Sequence, residues 1–396
     1  MLGSMERYEA NQRLYQERLE RLERANRNEQ PDRIPVMSAT STWAYYYKGY
    51  LPKDGWYNSE ITEKVYRAIY EDFYFDAIDI HPIAIYHPEM FTILGGGCFT
   101  FNEEGLHQTK SGAINVMEPE EYKDLIKDPY SYLLNTVFPR RYKLFSPEID
   151  VDTKVEGLKK FLNFFDRFRQ EMKKHNEICA RDYGLPSAVQ TLLLTPVDFI
   201  LDTLRDFQGI IQDIKRRPEM VRDAGLALVD FILDGVKHLT PSYGQVILIP
   251  MHLPPFLSPK DFSKVYWPSY KKLIDELVGR GFMVKCAFER KYEHLYDFLR
   301  ELPKNRIIAV LEDDDIFTFK KKLGDRMAIH GGIPTTMLYY ASKQECLDFC
   351  QRLLDEVAPG GGYLFGTNMS MITPSDGKAE NLKAVNDFIH KYGVYK

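Results

Sequence analysis

Four residues of metal-ligating type stand near the ends of three consecutive apolar runs in the sequence. They are Cys286, Glu289, Glu312 and His330. Thiolate, carboxylate and imidazole are the usual ligands of zinc in proteins, so this set predicts a zinc site, although the spacing matches no short metal motif. Another interpretation stays open, in which Cys286 is a buried small apolar residue, Glu312 belongs to a helix cap and His330 is a hydrogen-bonded core histidine.

Two other histidines also follow apolar runs and stand beside proline, which restricts their backbone. We predict His81 and His252 as catalytic residues, because an imidazole can act near neutral pH as a general acid or as a hydrogen-bond donor to substrate. Five other histidines fall in hairpin or helix patterns, where we expect surface positions. They are His107, His175, His238, His294 and His390.

An aromatic segment follows the first apolar run, with Trp43, Tyr45, Tyr46 and Tyr47 in close succession. These side chains could form an aromatic wall for a flat substrate, or they could pack within a long loop. Asn368 follows the last apolar run, and we predict that it contacts substrate. The sequence therefore offers an apolar, aromatic binding site near the predicted metal ligands.

Short apolar runs that alternate with helical patterns must position these residues. The eight runs are 34–38, 77–80, 188–191, 246–249, 282–286, 307–311, 327–329 and 363–365. Such alternation indicates a parallel sheet, and eight units favour an α/β fold of the (β/α)₈ TIM-barrel type, whose functional groups stand at the carboxyl ends of the strands. We predict an exposed N-terminal helical extension over residues 1–30, a single barrel domain over 31–396, and a β-hairpin insertion near 91–117.

Composition excludes several other classes of protein. The chain has 396 residues, 44% of them hydrophobic, and a net charge of −5, without the basic excess expected of a nucleic-acid-binding protein. No apolar run approaches the ~20 residues needed to cross a membrane. The polar N-terminus and five cysteines without a CxxC pair predict a cytoplasmic, reduced protein.

Several segments in a specific order resemble the uroporphyrinogen decarboxylase superfamily, in particular its corrinoid-dependent methyltransferase branch. The resemblance covers most of the chain from about residue 31 onward. The segments that carry it are Met117–Tyr122 with Asp128-Pro129, Leu204–Gly209 leading to Arg216–Pro218, Leu257–Phe262 running to Trp267-Pro268, His330–Pro334, and Pro374–Gly393.

The resemblance implies a TIM barrel with its pocket at the carboxyl ends of the strands, and it narrows the chemistry. The decarboxylases carry an arginine-rich segment after the first strand, whereas this chain has Ala39–Trp43 there. The thiol methyltransferases carry a His-x-Cys zinc pair that would fall on Val284 and Cys286, so the histidine is missing. Both activities are therefore disfavoured relative to a third branch.

That third branch is the demethylating component of anaerobic O-demethylase systems. The resemblance to it implies transfer of a methyl group from an aromatic methyl ether to the cobalt of a partner corrinoid protein, with zinc held by Glu289, Glu312 and His330, and Cys286 as a fourth ligand. The alternatives are a cofactor-free decarboxylase or lyase, a methylcobalamin-to-thiol methyltransferase, and a non-catalytic binding protein. The oligomeric state stays open, with a homodimer among the options.

Overall fold

The structure, a computed structural model, describes residues 4–81, 86–110, 112 and 114–396. Residues 1–3 of the predicted N-terminal extension and residues 111 and 113 of the predicted hairpin region lie outside the described residues. Over the described ranges, strands β1 to β10 are Met37–Ser38, Ala77–Ile78, Phe99–Phe101, His107–Thr109, Val189–Leu192, Val246–Met251, Val284–Phe288, Ile307–Leu311, Ala328–Ile333 and Tyr363–Thr367. The α-helices α1 to α18 over the same ranges are Ser4–Asn26, Trp43–Tyr47, Ser59–Asp72, Pro88–Leu94, Tyr122–Lys127, Pro129–Tyr132, Phe138–Arg141, Val151–Tyr183, Pro196–Ile200, Asp206–Arg216, Pro218–Leu233, Pro259–Asp261, Trp267–Gly279, Tyr296–Leu299, Ile316–Leu323, Thr335–Tyr340, Lys343–Glu356 and Ala379–Tyr392.

Parallel strands form a closed barrel within the described part of the chain. Six of them pair in the order β10, β9, β8, β7, β6, β5, and β1 pairs with β2. Two isolated parallel bridges complete the circuit, Val36 with Phe365 between β1 and β10, and Ile78 with Ser187 between β2 and β5. Each of the eight predicted apolar runs supplies one strand of this circuit, so the predicted (β/α)₈ barrel is confirmed.

The end of α1 closes the amino-terminal end of the barrel. Leu22 and Ala25 are fully buried, with 0% of their surface exposed, so the prediction of an exposed helix is wrong for this part of α1. They pack in one cluster with a residue from, or next to, each barrel strand. Those residues are Met37, Ala77, Ala188, Val246, Met283, Ile308, Ala328 and Leu364. The helix is therefore part of the barrel core, because it covers apolar side chains that would otherwise face water.

Asp76, at the start of β2, ties α1 to the barrel. Its side chain is 0% exposed and accepts a hydrogen bond from Arg21 at 2.5 Å, while Arg18 lies 3.5 Å away. The same carboxylate accepts from the backbone N–H of Val36 at 2.9 Å and from the hydroxyl of Tyr74 at 2.7 Å. One buried carboxylate thus joins α1, β1 and β2.

The predicted hairpin insertion is present as β3 and β4. The strands pair antiparallel, with Phe99 opposite Thr109 and Phe101 opposite His107. The turn closes through the backbone N–H of Gly105, which donates to the carbonyl of Asn102 at 3.1 Å. The hairpin is shorter than the predicted region, because the residues just before it form α4, which ends at Gly95 in the left-handed conformation that glycine adopts easily (φ 70°).

Local sequence signals start the outer helices. Pro218 occupies the first turn of α11, where a missing N–H costs nothing, and Ser342 forms a reciprocal capping box with Glu345 at the start of α17. Cys346 and Cys350, one turn apart on α17, are both buried against the barrel. None of the described helices combines the length and the apolarity that crossing a lipid bilayer requires.

Candidate active site

A cavity of about 330 Å³ lies at the carboxyl end of the barrel strands. Leu248, Phe288 and Val310 are among its apolar lining residues. Its polar lining includes four residues predicted from the sequence, namely Glu289, Glu312, His330 and Asn368, together with two that were not predicted, Asp79 and Lys285. The candidate functional residues therefore lie together at the carboxyl end of the barrel, as expected for this fold.

Asp79, Lys285 and His330 form a buried polar cluster in this cavity. Their exposed fractions are 8%, 1% and 2%. The ammonium group of Lys285 donates a hydrogen bond to Oδ1 of Asp79. Nδ1 of His330 lies 3.7 Å from Oδ2 of Asp79, so one carboxylate faces both other groups. An ion pair at this depth is expensive to bury, and it needs good geometry to be stable.

Burial and the neighbouring charges determine the protonation states of Asp79 and His330. Burial alone would raise the pKa of Asp79, but the charges of Lys285 and His330 outweigh it and keep that pKa below the usual value. Burial, reinforced by the neighbouring Lys285, lowers the pKa of His330 to about 4. At neutral pH the cluster thus contains an ion pair beside a neutral imidazole.

His330 has unused hydrogen-bonding capacity. Neither ring nitrogen has a hydrogen-bond partner within the described part of the chain. A buried polar group without a partner costs about 1–3 kcal/mol, so a polar group of a ligand in the cavity would recover this cost. His330 lines the cavity without the hydrogen bonds of the core-histidine alternative, and its role as a metal ligand stays a prediction.

His252 lies in a second cavity of about 370 Å³ that shares Glu289 and Glu312 with the first. Its Nδ1 is 2.7 Å from Oδ2 of Asp202, and its Nε2 is 3.3 Å from Oε1 of Glu289. Burial opposes the charged form, but the hydrogen bonds to Asp202 and Glu289 prevail and raise the pKa of His252 to about 11. The imidazole is therefore a cation between two carboxylates rather than a general base at neutral pH.

We expect the pKa of His252 to fall when Asp202 is replaced by Asn (D202N), because one of the two carboxylates that favour the imidazolium is lost. NMR titration of the ring protons checks this. The wild-type signal should stay in its protonated form up to pH 9, with the D202N signal changing at lower pH. D206N alters another carboxylate of the same cavity and should leave the titration unchanged. A wild-type titration near pH 6.5 would contradict the assignment.

The predicted four-residue zinc set does not assemble. Cys286 lies on the opposite face of β7 from Lys285, where its sulfur is 3.3 Å from the hydroxyl of Tyr270, and burial raises the pKa of the thiol to about 12. Successive side chains of a strand point to opposite faces, and Lys285 is among the residues that line the cavity whereas Cys286 is not. The alternative, a small buried apolar residue, is the one observed.

The three other predicted ligands line the cavity but have different partners. Oε2 of Glu312 accepts from the backbone N–H of Arg290 at 2.9 Å, Glu289 contacts His252, and His330 faces Asp79. In the described part of the chain, no three His, Cys, Asp or Glu side chains are arranged to hold a metal ion. Zinc binding thus stays a prediction from the sequence, and the arrangement of these residues does not fit it.

His81 has structural partners instead of a free catalytic edge. Its Nδ1 lies 2.9 Å from Nδ1 of His175, and its Nε2 lies 3.1 Å from the hydroxyl of Ser187. Burial lowers the pKa of His81 to about 4. His175 is itself 1% exposed, so its predicted surface position is wrong. The geometry therefore favours a structural role for His81 over the predicted catalytic one.

The aromatic segment packs in the protein and forms no wall of the two cavities at the barrel mouth. It is the helix α2, in which Trp43 and Tyr45 are 3% and 4% exposed, and the rings of Trp43 and Tyr47 stack 5.4 Å apart. Every polar tip has a partner: Trp43 donates to the carbonyl of Gly377, Tyr45 bonds Thr62, Tyr46 donates to Glu104 and Tyr47 donates to Asp72. The geometry thus favours the packing alternative over the predicted substrate-binding role of Trp43, Tyr45, Tyr46 and Tyr47.

Asn368 occupies its predicted place beside the cavity. Its side-chain amide donates to the carbonyl of Glu312 at 3.0 Å, and its oxygen accepts from the N–H of Thr335 at 3.0 Å. These bonds connect the loop after β10 to the ends of β8 and β9. Asn368 therefore positions the rim of the cavity, whether or not it also touches a ligand.

A family match covers the strands that supply most of these residues. The profile of the family described as uroporphyrinogen decarboxylase (URO-D) matches residues 199–392. Over these residues, which are just under half of the chain, the sequence is similar to that family. The match extends from β6 to β10 and so includes Lys285 and His330 of the cavity cluster.

The fold of the whole chain is also found among solved structures. A methyltransferase from Methanosarcina mazei matches it with a TM-score of 0.58 at 13% sequence identity, over 94% of this chain and 98% of the other. At such low identity the likeness establishes the shared fold over nearly the whole length of both chains. Among curated proteins, none matches the sequence.

Proposed function

We propose that this protein transfers a methyl group from a methoxylated aromatic compound to the cobalt of a partner corrinoid protein. The observation that carries the proposal is the ion pair of Lys285 and Asp79 inside a largely apolar cavity at the barrel mouth. The fold shared with a methyltransferase supports it. The donor would bind in the cavity, and the corrinoid protein would dock over the opening.

The leaving group sets the main chemical requirement. Cobalt(I) attacks the methyl carbon in line with the carbon–oxygen bond, so the ether oxygen must lie deeper than the methyl group. The bond breaks to leave a phenolate, whose parent phenol has a pKa of about 10. Lys285 is the cation in the cavity that can stabilise this charge and donate a proton to the oxygen.

Asp79 and His330 have supporting roles in this proposal. Asp79 holds the ammonium of Lys285 in place through its carboxylate, and is thus a positioning residue. His330, neutral and without a partner in the described chain, can hydrogen-bond a polar substituent on the ring. Leu248, Ala287 and Val310 supply apolar contacts for the ring itself.

The size of the cavity suits such a donor. An apolar cavity of about 150 Å³ holds one benzene molecule. The volume of about 330 Å³ therefore leaves room for one substituted ring with its methoxy group. A tetrapyrrole such as a porphyrinogen is several times larger than one ring, which makes it a poor occupant of this space.

The test is methylation of a cobalt(I) corrinoid protein by a panel of methoxybenzenes in the presence of the purified enzyme. We expect a change in the corrinoid spectrum to the methylcobalt form, together with release of the corresponding phenol. Enzyme omitted and enzyme with unsubstituted benzene serve as controls. If no methoxylated aromatic in a wide panel methylates the corrinoid, the proposal is wrong.

A second candidate is a decarboxylase or lyase, because an ammonium such as Lys285 can also hold a carboxylate. Arg205, in the Leu204–Gly209 segment that carries the family resemblance, is a candidate for carboxylate binding, but its side chain is bonded to other residues of the protein. Its guanidinium donates to Asp213 at 2.7 Å and to Asn115 at 2.9 Å, and it is 5% exposed. Release of carbon dioxide from aromatic carboxylic acids, without any corrinoid, would favour this second candidate.

A further inference from the structure

The helix α8, Val151–Tyr183, has a continuous apolar row on its exposed surface. Val151, Val155, Leu158 and Leu162 are 72%, 42%, 39% and 61% exposed. Their spacing alternates between four and three residues, and partly buried Phe165 continues the alternation. The next two positions of the alternation are Arg169 and Met172. Arg169 is charged, but its aliphatic stem can also pack against a neighbouring helix.

This row is distinct from the side of α8 that packs on its own barrel. Phe164, His175, Ile178 and Cys179 form that inner side and are at most 7% exposed. An alternation of four and three residues is the a and d pattern of a coiled coil, in which each apolar side chain inserts between side chains of a second helix. From Val151 to Met172 the row is about 32 Å long at 1.5 Å per residue. Exposed apolar surface of this length favours a partner helix.

Charges beside the row indicate which helix that partner is. On the outer flank, at the e positions of the heptad, stand Asp152, Lys159, Asp166 and Lys173 in alternating sign, all exposed. The other flank, at the g positions, is Lys154, Phe161, Phe168 and His175 and turns toward the barrel. In a parallel pair of helices, an e position of one helix faces a g position of the other, whereas in an antiparallel pair the e positions of the two helices face each other. Because the charged flank of α8 is its e flank, charge pairs between two copies form only in the antiparallel arrangement.

We propose that α8 is a homodimer interface, in which two copies of the chain pack their apolar rows antiparallel about a two-fold axis between Leu162 and Phe165. In this register Lys159 faces Asp166 of the partner subunit, and Asp152 faces Lys173 of the partner subunit. The two-fold axis repeats each pair, so that all eight charges are matched. The proposal is independent of the catalytic activity, because α8 contributes none of the described residues around the 330 Å³ cavity.

Sedimentation equilibrium of the full chain tests the interface. We expect a wild-type dimer at micromolar concentration and a monomer for L162K, since the axis then carries two buried lysines. L162K should remain folded by circular dichroism, because Leu162 is 61% exposed within one subunit. A wild-type monomer would overturn the proposal, as would an L162K dimer of unchanged affinity, which would place the contact on another surface.

A charge exchange tests the register. K159D creates two like-charge contacts across the axis and should raise the dimer Kd about tenfold. The double variant K159D/D166K reverses both partners and should return the Kd to within about threefold of wild type. K160D is the matched control, because Lys160 is exposed on α8 away from the row. If K159D/D166K is as weak as K159D, or K160D weakens the dimer equally, the antiparallel register is wrong.

Discussion

Replacement of Lys285 by Met (K285M) is expected to lower the kcat of methyl transfer by about 10²- to 10³-fold, the usual cost of removing one group that stabilises charge in a transition state. The methionine keeps the length of the side chain but cannot donate to the departing phenolate. The measurement is the rate of corrinoid methylation at saturating donor. A KM that stays near the wild-type value would place the loss in the chemical step.

The same substitution should also destabilise the protein. It leaves Asp79 as a buried carboxylate without its cation, which costs about 3–5 kcal/mol. The double variant D79N/K285M removes both charges, so we expect most of the free energy of unfolding to return while kcat stays low. Urea denaturation monitored by fluorescence measures the free energy of unfolding. Activity that recovers together with stability would show that Lys285 serves the fold alone.

Cys286 provides the matched control for Lys285. It is the next residue of the same strand and is equally buried, but it faces Tyr270 on the helical side. C286A should lose some stability through a small cavity and keep its kcat. A loss of activity in C286A as large as in K285M would show that the thiol acts in the site, and it would support the zinc hypothesis.

The second large effect is expected at Asp76. In D76A, Arg21 and Arg18 lose the buried carboxylate that they share, and the N–H of Val36 loses its acceptor. Removing one partner of a buried ion pair costs about 3–5 kcal/mol. Equilibrium urea denaturation should show this loss, with α1 more accessible to protease in the folded state.

Asp32 offers a control on the same arginine. It also pairs with Arg21, at 2.7 Å, but its side chain is 60% exposed. Exposed pairs contribute about 0–1 kcal/mol, so D32N should change the free energy of unfolding far less than D76A. Equal effects of D32N and D76A would mean that burial of Asp76 is not what holds α1 to the barrel.

Hydrophobic patterning was sufficient to predict the barrel. Each strand has a short apolar run because both of its faces are covered, one by the barrel interior and the other by helices. The contribution of α1 could not be predicted in the same way, since its few leucines stand among many charged residues. Their burial depends on the open end of a barrel that forms from distant parts of the chain.

The candidate site was only partly predictable for a related reason. Glu289, Glu312 and Asn368 follow the apolar runs, where the fold predicts functional groups, whereas Lys285 and Asp79 lie inside the runs. Lys285 and Asp79 interrupt apolar runs, and a charge inside a buried strand is itself a signal of function. The alternation of side chains would also have shown that Lys285 and Cys286 point to opposite faces.

The packing of the aromatic segment could not be predicted from its composition, because composition does not show which way each ring points. Trp43 and Tyr47 are four residues apart, which places them on one face of a helix when the segment is helical. In a long loop the same spacing has no such consequence. Their stacking on each other, and the bonds from each polar tip, depend on residues far away in sequence, such as Gly377 and Asp72.

Asp76 and Asp79 are separated only by the two residues of β2, and this short distance has a thermodynamic consequence. The first carboxylate secures α1 at one end of the barrel, and the second secures Lys285 at the other. Where two binding events act on one rigid segment, each changes the free energy of the other by the same amount. Occupancy of the cavity should therefore slow amide exchange in the last turns of α1, and loosening of α1 should weaken the affinity for the donor.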